Sequence, residues 1–234
     1  MSVAENIARI RERIADAARH AGRKPEEIAL LAVSKTFPPE LIREAHAAGQ
    51  RLFGESRIQE FAAKADRLRD LADVNWHMIG HLQSNKTAKA AQLFSAIDSI
   101  DSLRLTRRLN ESAREQGKQL PVLIEINVGG EAAKSGLAAD SAELEQILRA
   151  APQFEHLEIR GLMTVPPFGE DPAEARPFFR KLRQLQARIA ERHLAQVSMD
   201  ALSMGMSHDF EVAIEEGSTC VRVGTAIFGE RVAA

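Results

Sequence analysis

Eight short apolar runs, each separated from the next by a segment of helical pattern, limit what this chain can fold into. They are "IALLAVS" (28–34), "RLFG" (51–54), "NWHMIG" (75–80), "SAIDS" (95–99), "PVLIEINV" (121–128), "LEIRGLMTV" (157–165), "VSMDALS" (197–203) and "TCVRVG" (219–224). Segments such as "PELIREAHAAG", with proline near its start and glycine at its end, read as the helices between them, and "SHDFEVAIEEG" has Ser207 as its expected N-cap. Strands joined through helices of this length pair in parallel, and eight such units close into a (β/α)8 TIM barrel. An open doubly wound sheet is the rival arrangement. Ahead of the first run, Ile7, Ile10 and Ile14 recur at helical spacing and add an N-terminal helix outside the repeat. No linker, charge block or low-complexity tract interrupts the alternation, so residues 1–234 are expected to form a single α/β domain.

Composition removes several function classes. The chain has 31 basic and 33 acidic residues, well mixed, with a formal net charge of -2, and so carries no electrostatic footprint for nucleic acid or a membrane surface. Its one cysteine, Cys220, excludes an intramolecular disulfide and a cysteine-built metal site. The N-terminus carries acids and lacks an unbroken apolar stretch, which argues against a signal or transit peptide and for a soluble cytoplasmic protein.

In a barrel of this kind, function sits at the C-terminal ends of the strands. The residues there are Lys35, "GES" (54–56), "GH" (80–81), Asp98 and Ser99, Asn127, Thr164, "SMG" (203–205) and "RVGT" (222–225). Small residues in "SMGMS" and "GT" would let backbone N–H groups and hydroxyls close around a phosphate, helped by the N-terminal dipole of a helix opened by Ser207. Either cluster alone could simply turn the chain; both together favour the phosphate. Lys35 follows Leu31 and Val33, and partial desolvation there favours the neutral amine, a nucleophile toward an aldehyde. The plainer reading is a lysine reaching from a strand end into water. A rim lysine and a phosphate site together suggest pyridoxal phosphate. Arg222 shares a strand face with Cys220 and Gly224 and can only donate hydrogen bonds. It would meet the cofactor's ring nitrogen as an acceptor, or else pair with a core carboxylate such as Glu125.

The segments "AVSKT", "FGES", "WHMIGHLQSNK", "NVGGEAAKSGL", "GLMTVP" and "LSMGMSHDFEVAIEEGSTCVRVGTAIFGER" resemble those of the pyridoxal phosphate homeostasis proteins, a family related to the N-terminal barrel of alanine racemase. The likeness covers nearly the whole chain. It implies a fold-type III barrel with the cofactor as an internal aldimine on Lys35. It also implies phosphate contacts from Ser203, Gly205, Gly224 and Thr225, with Arg222 facing the ring nitrogen. The implied role is intracellular buffering and supply of pyridoxal 5'-phosphate and other B6 vitamers, with PLP-dependent enzymes as clients. Two positions depart from the family's pattern. Ser56 stands where relatives carry asparagine, and His208 where an acid is common.

Turnover is not expected, and no residue is assigned a catalytic role. A racemase on this scaffold needs a base on each face of a planar carbanion, supplied in the related enzyme by lysine and a tyrosine of a second domain. This chain has no tyrosine, and it ends about ten residues past its last strand, which implies that no second domain follows. His81, at the third strand's end, is read as a neutral hydrogen-bonding group beside the ring. Used as a base, it would make the protein a racemase or lyase. A third reading is a module that hands cofactor to apo-enzymes by contact. "GGEAAKSG" (129–136) falls short of a nucleotide-binding loop because Ala133 stands where glycine is required. His77 and His81 straddle a strand end without a third ligand, so no metal is expected.

Overall fold

In the computed structural model, which describes residues 1–131 and 134–230, the strands close on themselves. Strands β1 (Ala29–Val33), β2 (Leu52–Glu55), β3 (Asn75–Met78), β4 (Ala96–Ile100), β5 (Leu120–Glu125), β6 (Leu157–Met163), β7 (Val197–Met206) and β8 (Cys220–Val223) lie in sequence order. Every neighbouring pair is parallel, and β8 returns to β1 with Ala29 opposite Cys220 and Leu31 opposite Arg222. The barrel, and not the open sheet, is the arrangement adopted.

Helices α1 (Val3–His20), α2 (Pro39–Ala47), α3 (Ile58–Ala65), α4 (Thr87–Leu93), α5 (Leu103–Glu115), α6 (Ala142–Ala150), α7 (Arg176–Ala190), α8 (Phe210–Glu215) and α9 (Thr225–Phe228) surround it. The α1 start is a capping box. Ser2 Oγ accepts from the Glu5 N–H, and the Glu5 carboxylate accepts from the Ser2 N–H. Its apolar stripe, Ile7, Ile10 and Ile14 with Ala18, is buried against α2, α8 and α9. That placement has a reason in length. The helix after β8 is only four residues, too short to cover the seam where β8 meets β1, and α1 supplies the missing surface.

Most of the apolar core lies between barrel and helices, in two clusters built around residues such as Phe61, Phe94 and Phe179 on one side and Phe53, Phe210 and Ile10 on the other. Inside the barrel the lining is more polar. Leu31 shares its face with Arg222, Gly54 with His77, and Ser203 with Cys220. At Gly54 an added Cβ would stand 2.3 Å from the Leu31 side chain, so Leu31 occupies the space that a larger residue there would take.

Several element ends differ from the sequence expectation by one to three residues, β5 for one ending at Glu125 and not Val128, and two of the differences bear on the site. β7 continues to Met206 and takes "SMG" into the strand, and α8 starts at Phe210 with Asp209, not Ser207, at its N-cap. The chain closes a turn first. The Asp209 N–H donates to the Met206 carbonyl at 3.1 Å, and the Asp209 carboxylate accepts the Met206 N–H at 2.6 Å. Ser207 lies inside that turn, so it opens no helix. Among the described residues no helix is long and apolar enough to cross a membrane.

Candidate functional site

The C-terminal rim gathers most of the residues expected to act. Lys35 is half-buried in a turn just past β1, closed by the Phe37 N–H donating to the Ser34 carbonyl at 3.1 Å. On one flank the Ser34 N–H donates to the Gly54 carbonyl at 3.0 Å, which sets "GES" beside the lysine's turn. On the other flank Gly224 runs so close that a Cβ there would stand 3.2 Å from the Val33 carbonyl oxygen. Thr225, exposed, follows at the start of α9. Lys35, Ser56, Gly224 and Thr225 are thus brought to one arc of the rim. The next strand end joins them, since a Cβ at Gly80 would meet the Ser56 carbonyl oxygen at 2.4 Å. His81, beside Gly80, is exposed, with Nδ1 2.9 Å from the Asp101 carboxylate. Burial lifts the Asp101 carboxyl above its ordinary value, with His81 pulling the other way.

Arg222 occupies the floor of this arc. It is only 4% exposed, and its guanidinium donates to Ser203 Oγ at 2.8 Å and to the Thr164 carbonyl at 2.7 Å. Burial draws its pKa below the usual arginine value, and Cys220, Asp98, Asp209 and Glu125 act against that. Both acceptors are neutral, and two of five N–H groups are used. Glu125, the alternative partner considered from sequence, takes its hydrogen bond from Ser135 Oγ at 2.8 Å, and its other oxygen, Oε2, has no hydrogen-bond partner among the described residues. Its carboxyl is held high, first by burial and then by Asp101.

Gly205 and Ser203 enter from β7. Ser203 is fully buried. Gly205 has φ 94°, and a Cβ there would stand 2.6 Å from the Ala213 Cβ, so only glycine lets β7 pass α8 at this point. Asp209, 6% exposed, has its carboxyl raised by burial, opposed by its Met206 hydrogen bond and by Arg222. His208 turns to the loop after β6, with Nε2 3.0 Å from the Glu170 carbonyl oxygen and its ring 5.7 Å from that of Phe168.

Other sequence motifs find structural employment. In "GGEAAKSG", Lys134 Nζ donates to Glu131 at 2.8 Å and to the Pro166 carbonyl at 3.1 Å, and Ser135 holds Glu125. Ala133, on which the nucleotide-loop argument turned, lies outside the described residues. His77 and His81 serve different aspartates; His77 Nδ1 is 3.1 Å from both oxygens of the buried Asp98.

One group was missed from the sequence. Behind the Lys35 turn, between barrel and α3, Lys64 is 7% exposed and Glu55 fully buried, with Nζ 2.9 Å from Glu55 Oε1. The available signal was spacing. Lys64 falls three residues after Phe61 and six after Ile58, on the face that α3 turns inward.

The chain is similar to known proteins over nearly its whole length. The family model described as "Alanine racemase, N-terminal domain" matches residues 6–232. A protein of Aquifex aeolicus named pyridoxal phosphate homeostasis protein is 43% identical over 99% of each chain. One of the same name from Pseudomonas aeruginosa is 45% identical over 98% of this chain and 96% of its own. Among solved structures, PipY of Synechococcus elongatus with PLP bound superposes with a TM-score of 0.84 at 38% identity, covering 97% of this chain and all of that one.

Proposed function

From the premise that the chain belongs to the pyridoxal phosphate homeostasis proteins, within the alanine racemase N-terminal domain family, we propose that it binds pyridoxal 5'-phosphate covalently through Lys35 and works in the cytoplasmic buffering and supply of that cofactor. The observation that carries this reading is the arc itself. A half-buried amine stands between two strand ends opened by glycine, above a buried guanidinium that only donates.

The residues fit the group. Pyridoxal phosphate supplies an aldehyde that bonds to an amine, a ring nitrogen and a phosphate. Lys35 provides the amine. Arg222, which can only donate, would meet the ring nitrogen as an acceptor and so favour its unprotonated form, and a cofactor held that way would be a weak electron sink. Gly205, Gly224 and Thr225 would offer backbone and hydroxyl donors to the phosphate, and Ser203, held by Arg222, would add its hydroxyl. Ser56 and His81 line the side away from β8, where His81 is oriented by Asp101. Oε2 of Glu125 is a further polar atom beneath the same rim.

A holding role is supported by the absence of tyrosine from the sequence and by the naming of relatives as homeostasis proteins. Other B6 vitamers and PLP-dependent client enzymes are its proposed partners, the latter receiving cofactor as it is released. The test is an absorbance spectrum followed by borohydride reduction and peptide mass spectrometry. A yellow band and a phosphopyridoxyl group on the Lys35 peptide, both lost in Lys35→Ala, are expected. Excess cofactor that leaves Lys35 unmodified would sink the assignment. Sustained entry of solvent deuterium at the Cα of added amino acids would instead make the protein an enzyme.

A further inference from the structure

The turn that carries Lys35 is held from the side opposite the rim. Lys64 Nζ donates to the Ser34 carbonyl at 3.0 Å and lies 3.3 Å from the Phe37 carbonyl, the two residues that bracket Lys35 and Thr36. The same nitrogen is 2.9 Å from Glu55 Oε1 and 3.2 Å from Glu60 Oε1. Both carboxylates reach back to the turn. Glu55 Oε1 accepts from Ser34 Oγ at 2.6 Å, and Glu60 accepts from the Thr36 N–H. Ser34, Thr36 and Phe37 are each hydrogen-bonded to this cluster.

Two features make the cluster more than packing. Thr36 has φ 68°, the left-handed region that a β-branched residue rarely enters, and such a conformation persists only where its surroundings over-determine it. The second is that a buried Lys–Glu pair is a poor source of stability, since well-packed apolar side chains of the same volume serve as well or better. A lysine at this place does what a methionine would not. It donates to several carbonyls at once and fixes the direction in which the turn leaves β1.

We propose that Lys64, with Glu60, is the positioning device of the Lys35 site, holding the lysine's turn from behind the barrel and so setting how slowly a bound pyridoxal phosphate is released. This rests on the reading of Lys35 given above. Release consumes one water, which returns Lys35 as the free amine and the cofactor as its aldehyde. A lysine whose turn is loose loses its alignment with the ring and phosphate contacts, and the bond then opens to water more often.

The test compares wild type with Glu60→Ala and Lys64→Met. The second leaves Glu55 buried without its partner and risks misfolding. Glu60 is partly exposed on α3, so Glu60→Ala keeps the question answerable. Three quantities are read: hydrogen exchange of the peptide spanning residues 34–37 without cofactor, the rate at which loaded protein loses its visible band to an aldehyde scavenger, and the pH midpoint of that band. The expected result is faster exchange, release faster by about tenfold or more, and a displaced midpoint, with circular dichroism unchanged. Folded variants that keep the wild-type release rate and midpoint would overturn the proposal, whatever happens to exchange. If wild type takes up no cofactor yet exchange rises in the variants, the hold on the turn stands and the cofactor reading falls instead.

Discussion

His77 shows what a single residue's surroundings decide. Burial alone would lower its pKa, but the Asp98 carboxylate, by attraction and by hydrogen bond, outweighs it and leaves the imidazole above its ordinary value. A raised folded pKa stabilises the protein fully below the unfolded value of about 6.5, and that contribution is lost as pH rises through the folded pKa. His77→Gln should therefore lose more stability, relative to wild type, at pH 5.5 than at pH 9, read by urea unfolding. An equal loss at both would mean that folding leaves the imidazole's pKa where it is in the unfolded chain. The sequence exposed the rim residues for a simple reason: lysine, arginine and paired glycines are conspicuous at the ends of apolar runs. Lys64 was hidden by the opposite circumstance. Glu60 and Lys64 are spaced i,i+4, the pattern of a solvated helix face, which masks the inward signal of the spacing from Ile58 and Phe61 until α3 is seen packed on the barrel.

Elements were legible in kind, and their ends less so. All eight runs became strands, but β7 outran its apolar pattern because its last residues pair with β8, where Met206 stands opposite Arg222. Small residues that read as a loop were strand because a partner was waiting. On its other edge β7 pairs with β6, and that seam explains Gly161, where a Cβ would meet the Ala201 carbonyl oxygen at 1.8 Å. Gly161→Ala must push the two strands apart or bend one of them, and is expected to destabilise the protein by about 1–3 kcal/mol in denaturant unfolding. A change within about 0.5 kcal/mol would show that the seam is more yielding than its geometry implies. The start of α8 teaches a related lesson. Ser207 and Asp209 are both good N-cap residues, and the choice fell to the one whose carboxylate closes the Met206 turn.

At the scale of the molecule, closure depends on a helix that precedes the repeat. α1 covers the β8–β1 seam on which Gly224, Arg222 and Lys35 all depend, with Ile10 fully buried at its centre. Ile10→Ala is expected to cost about 2–5 kcal/mol and to lower the single unfolding transition of the whole chain. A separate early transition, with the main one unmoved, would mean that α1 docks on a barrel already stable without it. The alternation of strand and helix, the amphipathic stripe of α1 and the reactive residues at strand ends were fixed by the sequence alone, because periodicity and turn chemistry act over a few residues. Whether the sheet closed, which strand Arg222 faced and which lysine stood behind Lys35 were decided only by the tertiary structure. Closure and the placing of Arg222 depend on pairing between β1 and β8, about 190 residues apart, and the place of Lys64 on the packing of α3 against Ser34 and Glu55, contacts that no local pattern encodes.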